Sequence, residues 1–201
     1  MRRLSLVVAM LAGCAAPTAQ LSPEMLARLQ RESRIEIYDR ENDVVIARNK
    51  QDEARRRVSL LSSEIETLGE RAKKMEMRAV KAGGPALASL QKTVTARRGY
   101  LEAQKHLAEM QLAVAENRVE VASARLEQTR QRQLIRTGRA LQPSILPFDA
   151  RVELLEKQLA DRERREADMH LGTEASFEVW KSAEDAYAKA TGDYDTGIWL
   201  Y

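Results

Sequence analysis

Between Ser22-Pro23-Glu24 and Gly83-Gly84-Pro85 the chain runs without a proline or a glycine pair, Gly69 being the one lapse. That uninterrupted length leaves little but a long helix to form. Ser22 reads as an N-cap, Pro23 as a first helical residue and Glu24 as an early acid suited to the helix dipole. A helix over 22–82 is expected, about 60 residues or ~90 Å at 1.5 Å per residue. So long a helix needs a partner, and the seam for one is legible. Val58, Leu61, Ile65, Leu68, Ala72, Met75 and Ala79 alternate steps of three and four, the a/d pattern of a coiled coil. Upstream the seam weakens through Ala54, Gln51, Ala47 and Val44. The stretch from Arg48 to Arg57 is almost wholly polar and is expected to be loosely held or frayed.

Gly83-Gly84-Pro85 combines a helix stop with an immediate helix start, because glycine accepts the left-handed C-terminal conformation and proline suits a first turn. So short a link between long helices makes an antiparallel hairpin. The second helix, 86–137, carries Leu87, Leu90, Val94, Arg97, Leu101, Gln104, Ala108, Leu112, Ala115, Val119, Ala122, Leu126 and Thr129 on one stripe. Two successive steps of four at 104–108–112 shift its phase and locally unwind a supercoil.

A second break runs from Gly138 to Phe148, where Leu141, Ile145, Leu146 and Phe148 are expected to pack on the bundle end. Asp149 is expected to cap a third helix, 149–191. Its stripe runs through Val152, Leu155, Leu159, Arg162, Glu166, Met169, Thr173, Ser176, Trp180, Ala183, Tyr187, Ala190 and Tyr194. Gly172 lies within this rhythm without a phase slip, so one bent or weakened helix is expected, a break at Gly172-Thr173 being the alternative. The aromatic segment from Gly192 to Tyr201 is read as a tail folded onto the bundle or as a docking peptide. The expected fold is all-α: a long antiparallel helical hairpin plus a third helix, in a three-helix coiled-coil bundle.

Chemistry-bearing residues are sparse. There are two histidines and one cysteine, with no glycine-rich strand-to-helix turn, so neither catalysis nor a cofactor nor a metal is expected. Glu166 and His170 are four apart on one face, whereas ferritin-like metal sites use a spacing of three and residue Ala167 breaks that pattern. His106 lies near Glu102 and Glu109, as on an ordinary exposed face. Arg162 and Glu166 occupy seam positions suited to an interhelical pair that sets register, the alternative being a seam open to water. Met75, Met77 and Met110 are expected to fill core space. Charged residues make up 31% of the chain with both signs interleaved, and Arg55-Arg56-Arg57 and Arg164-Arg165 have acidic neighbours. Such a pattern suits solvated helix faces and argues against nucleic acid.

At the N-terminus, Arg2 and Arg3 precede an apolar run, Leu4 to Leu11, and then small residues ending at Cys14. The run is far shorter than the ~20 residues a spanning helix needs. Leu11-Ala12-Gly13-Cys14 resembles the lipobox of bacterial lipoproteins. Leu4-Ser5-Leu6 does not fit a twin-arginine signal, so the ordinary secretory route is expected. The resemblance implies that residues 1–13 are a removed signal peptide, that Cys14 is acylated, and that 14–21 is a lipidated tether to the helical domain 22–201. It implies anchoring in the membrane through lipid on Cys14, and Ala15, where inner-membrane lipoproteins commonly carry aspartate, implies the periplasmic face of the outer membrane. Lys73, Lys74, Arg78 and Lys81, with Lys92 on the returning helix, read either as dipole compensation or as a basic tip for an anionic partner. The expected function is an envelope scaffold, touching an envelope protein or peptidoglycan.

Leu112 to Arg125, and Gly138 with Asp149 to Leu155, are similar to helical-hairpin repeats of outer-membrane efflux proteins. That likeness implies an alternative role, an accessory component of an export or efflux complex.

Overall fold

The computed structural model describes residues 21–82, 84–140 and 144–192, with side chains 78–79, 81–82 and 84–85 excepted. It is all-α. Helix α1 is Pro23–Ala27, α2 Arg31–Ala82, α3 Gly84–Arg136 and α4 Leu146–Thr191. The expected signal peptide, Cys14, most of the expected tether, Leu141 and the segment from 193 onward lie outside the described residues.

The first helix is shorter than the sequence suggests. Ser22 does cap it, its hydroxyl accepting from the Met25 N–H at 3.2 Å, but the helix ends at Ala27 and the chain turns through Arg28–Gln30 before α2 begins. The reason is burial in two directions. Met25 packs against Leu134 and Phe148 at the bundle end, whereas Leu26 and Leu29 join Ile37, Val44 and Leu126, and Leu21 touches both groups. A straight helix cannot point both sets inward, so the kink is the cheaper solution.

From Arg31 onward α2 is unbroken for 52 residues, including Arg48–Arg57, which was expected to fray. Ala47 is buried and Ala54 half-buried, and Arg55 reaches Glu116 on α3 at 3.6 Å. The seam continues through half-buried Gln51 and Ala54 to Val58, small or polar residues in place of large apolar ones. Below it, Leu61, Leu68, Leu90 and Leu101 form a buried cluster with Val58, Ile65, Met75, Leu87 and Val94 packed on it. Met77, by contrast, is exposed rather than core-filling.

Helices α2 and α3 are antiparallel: Glu36 meets Gln133 at 3.1 Å, Glu41 meets Arg130 at 2.9 Å and Arg55 meets Glu116. Helix α3 ends in a Schellman motif, with Gly138 at φ 68°. The Arg139 N–H donates to Leu134 O at 2.9 Å and the Gly138 N–H to Ile135 O at 3.0 Å. Helix α4 then starts at Leu146, three residues before the expected cap. Asp149 is taken up sideways, accepting from Gln128 Nε2 at 2.6 Å and facing Arg132 at 3.6 Å, so Ile145 occupies the cap position without a capping side chain. Phe148 is buried and Ile145 packs beside it, but Leu146 points to solvent. Helix α4 passes through Gly172 without a break and ends at Gly192, whose φ is 68°.

Helix α4 lies antiparallel along α3, tied by Arg118–Glu163 and Arg125–Glu156, each at 2.7 Å. It uses a face of α3 that the stripe above does not include. Thr93, Ala96, Tyr100, Ala103, Leu107, Met110, Val114, Asn117, Val121, Ala124, Gln128, Gln131 and Ile135 keep a three-four rhythm without a slip and are all buried or half-buried. Thr93 donates to Ala183 O at 3.0 Å and Gln131 Nε2 to Ser144 O at 3.4 Å, which places this second stripe on α4 and the loop before it. The first stripe faces α2. Helix α3 is therefore central. Among the described residues α2 and α4 each pack along it, with no comparable packing of α2 on α4, so the third helix extends the hairpin and leaves one face open.

Candidate functional site

The basic tip is only partly displayed. Lys73, Lys74 and Lys92 are exposed, while the side chains of Arg78 and Lys81 lie outside the described residues. Because α2 continues to Ala82, its last turn holds Lys81 alone, and Lys73 and Lys74 stand more than two turns upstream. A helix dipole acts over about one turn, so dipole compensation does not account for those two lysines. Lys73→Gln with Lys74→Gln is accordingly expected to leave the thermal midpoint unchanged within about 1 °C. If they form a binding tip, the same variant loses capture of an anionic partner from envelope extracts.

A second constellation brings together residues from two helices that sequence reading did not associate. Tyr100 on α3 stacks on Trp180 of α4, ring centroids 5.4 Å apart and planes 13° from parallel. Phe177 meets Tyr100 and Trp180 edge-on at 5.3 and 5.5 Å. The Arg97 guanidinium sits over the Trp180 ring, 4.0 Å from its centroid, an arrangement worth about 0.5–2 kcal/mol according to desolvation. Burial pulls the Arg97 pKa below its ordinary value, opposed by Tyr100, Glu64 and Glu184. Lys181 also approaches the ring at 5.3 Å, and its hydrogen bond to Glu184 raises its pKa. Arg97, the one charged residue on its stripe, was the visible signal. Tyr100 was missed because it belongs to the second stripe of α3, and Phe177 because it lies off the stripe read for α4.

Beside this cluster is an open groove of about 730 Å3. Arg57 of α2 forms one side, Tyr100 and Leu107 of α3 the floor, and Leu171, Phe177 and Glu178 of α4 the other side. Two further hollows continue it along the same face, one reaching Lys50, Val114 and Glu166, the next Arg40, Val121 and Glu156. All are shallow, and all are lined jointly by α2, α3 and α4.

Neither histidine belongs to a metal-binding constellation. His170 pairs with Glu174 at 3.3 Å, not with Glu166, and His106 with Glu109 at 3.1 Å, both on exposed faces. Glu102 turns instead to Arg98. No group of three or more His, Cys, Asp or Glu side chains placed to hold a metal occurs among the described residues. Arg162 does cross between helices, but to backbone: its guanidinium donates to Ala113 O at 2.8 Å. No family model, no curated protein and no solved structure matches this chain.

Proposed function

We propose that the protein is a lipid-anchored envelope scaffold, a periplasmic coiled coil held through acylated Cys14 on the periplasmic face of the outer membrane, whose work is reach and contact with an envelope protein or peptidoglycan. The observation that carries this reading is Leu11-Ala12-Gly13-Cys14 behind a basic and then apolar opening. Three acyl chains at one residue, at roughly 0.8 kcal/mol per buried methylene, hold a domain stably on a bilayer. The shape of the domain supports the reading. Helices α2 and α3, 52 and 53 residues long, extend close to 80 Å at 1.5 Å per residue. No helix among the described residues is long and apolar enough to cross a membrane, and the surfaces on offer are long faces and shallow grooves. A second reading, an accessory of an export or efflux complex, draws on the α3–α4 hairpin with its glycine turn at Gly138.

Cys14→Ser is expected to abolish incorporation of a labelled fatty acid and to move the protein from the membrane to the soluble fraction. Undiminished labelling in that variant overturns the anchor. Co-purification with a transporter, rather than with peptidoglycan or a structural envelope protein, favours the second reading.

A further inference from the structure

The two stripes of α3 are offset by one residue over most of its length: Val94, Leu101, Ala108, Ala115, Ala122 and Thr129 face α2, while Thr93, Tyr100, Leu107, Val114, Val121 and Gln128 face α4. One residue is about 100° of helix rotation, nearer the corner of a square than that of a triangle. Helices α2 and α4 therefore stand apart, and the grooves described above run between them along one open face.

The charges on the two walls of that face differ in sign. Lys50 and Arg57 line it from α2, and Glu166 and Glu178 from α4. None of the four makes an ion pair or hydrogen bond with a described residue. Glu53 also lies on the α2 side, leaving that wall with a net positive charge, whereas Glu156 and Glu163 on α4 are occupied by Arg125 and Arg118.

We propose that this face is an interface with a second copy of the chain, formed about a two-fold axis parallel to the helices. Such an axis sets α2 of each copy against α4 of the other at the same height, so Lys50 and Arg57 of one copy meet the Glu166 level of the other, twice over, with Glu178 further along the same acidic wall. An axis across the helices sets α2 on α2 and α4 on α4, like against like. Charge thus selects the parallel dimer, with both first helices at the same end. The face extends from the Arg125 level to the Tyr100 level of α3, about 38 Å, and is two helices or about 20 Å wide. It offers on the order of 750 Å2 per copy, the size of a standard specific interface. The arrangement does not depend on acylation.

The test uses the full chain carrying Cys14→Ser, so that lipid cannot drive association, in sedimentation experiments at low and high salt. A species of twice 22.7 kDa is expected at low salt, with its dissociation constant rising as salt screens the walls. Lys50→Glu with Arg57→Glu is expected to weaken dimerisation at least about tenfold. Adding Glu166→Lys and Glu178→Lys to the same chain exchanges both walls and restores it. Circular dichroism of each variant separates lost pairing from lost folding, and recovery in the fourfold variant is a gain that misfolding cannot mimic. A monomer at every concentration and salt, or a dimer unmoved by the exchange, overturns the proposal.

Discussion

Trp180→Ala is expected to cost about 3–5 kcal/mol in urea unfolding, the range for removing a large buried aromatic. Trp180 is 8% exposed and lies at the join between Tyr100, Phe177 and the Arg97 guanidinium. Truncation removes the ring that both aromatic partners pack against and strands a half-buried cation. Phenylalanine at the same position keeps a ring under Arg97 and costs less. Because the cluster joins α3 to α4, hydrogen exchange in the variant is expected to rise first over the C-terminal half of α4, with the α2–α3 hairpin still protected. A loss below about 1 kcal/mol shows that the cluster is not a packing anchor.

The second substitution works in the opposite direction. Asn117 is fully buried on the second stripe; its Nδ2 reaches Leu155 O only at 3.5 Å, and its Oδ1 has no partner. Burying an amide so poorly satisfied costs about 1–3 kcal/mol. Asn117→Leu is therefore expected to raise stability by about that amount. The same change weakens specificity. A seam that repeats every seven residues is nearly remade when one helix slides by a heptad, and a buried asparagine is a device that penalises such slippage. Spin labels placed at Arg118 and Glu163 are expected to report one distance in the native chain and a second, minor one in the variant. A destabilised variant shows instead that Asn117 is better satisfied than its distances indicate.

Much of the fold can be read without coordinates. The link at Gly83-Gly84-Pro85 and the stop at Gly138 follow from residue chemistry within a turn or two, where glycine and proline act through their own backbone, whereas the rhythm through Gly172 left both one helix and a break open and the structure has one helix. Helix ends set by side chains from elsewhere were not legible in this way. Asp149 has the right chemistry for a cap, but Gln128 and Arg132 on α3 claim its carboxylate, and α4 starts earlier. Leu29 sits in a run with high helical propensity, yet burial against Ile37 and Leu126 turns the chain there.

The sequence by itself determined that the chain is all-α, roughly where its long helices run, and that α2 and α3 form a hairpin, because period, caps and breakers are local properties. Only the tertiary structure decided what stands on each side of α3. Both of its stripes were present in the residues, one apolar enough to be seen and the other interspersed with Thr93, Asn117, Gln128 and Gln131. Those polar positions read as solvent-facing until a neighbouring helix supplies partners, as Ala183 O, Asp149 and Ser144 O do for three of them. Whether a polar side chain faces water or a backbone carbonyl of another helix is a question of long-range position, and so the open face between α2 and α4 had no signature in the sequence order alone.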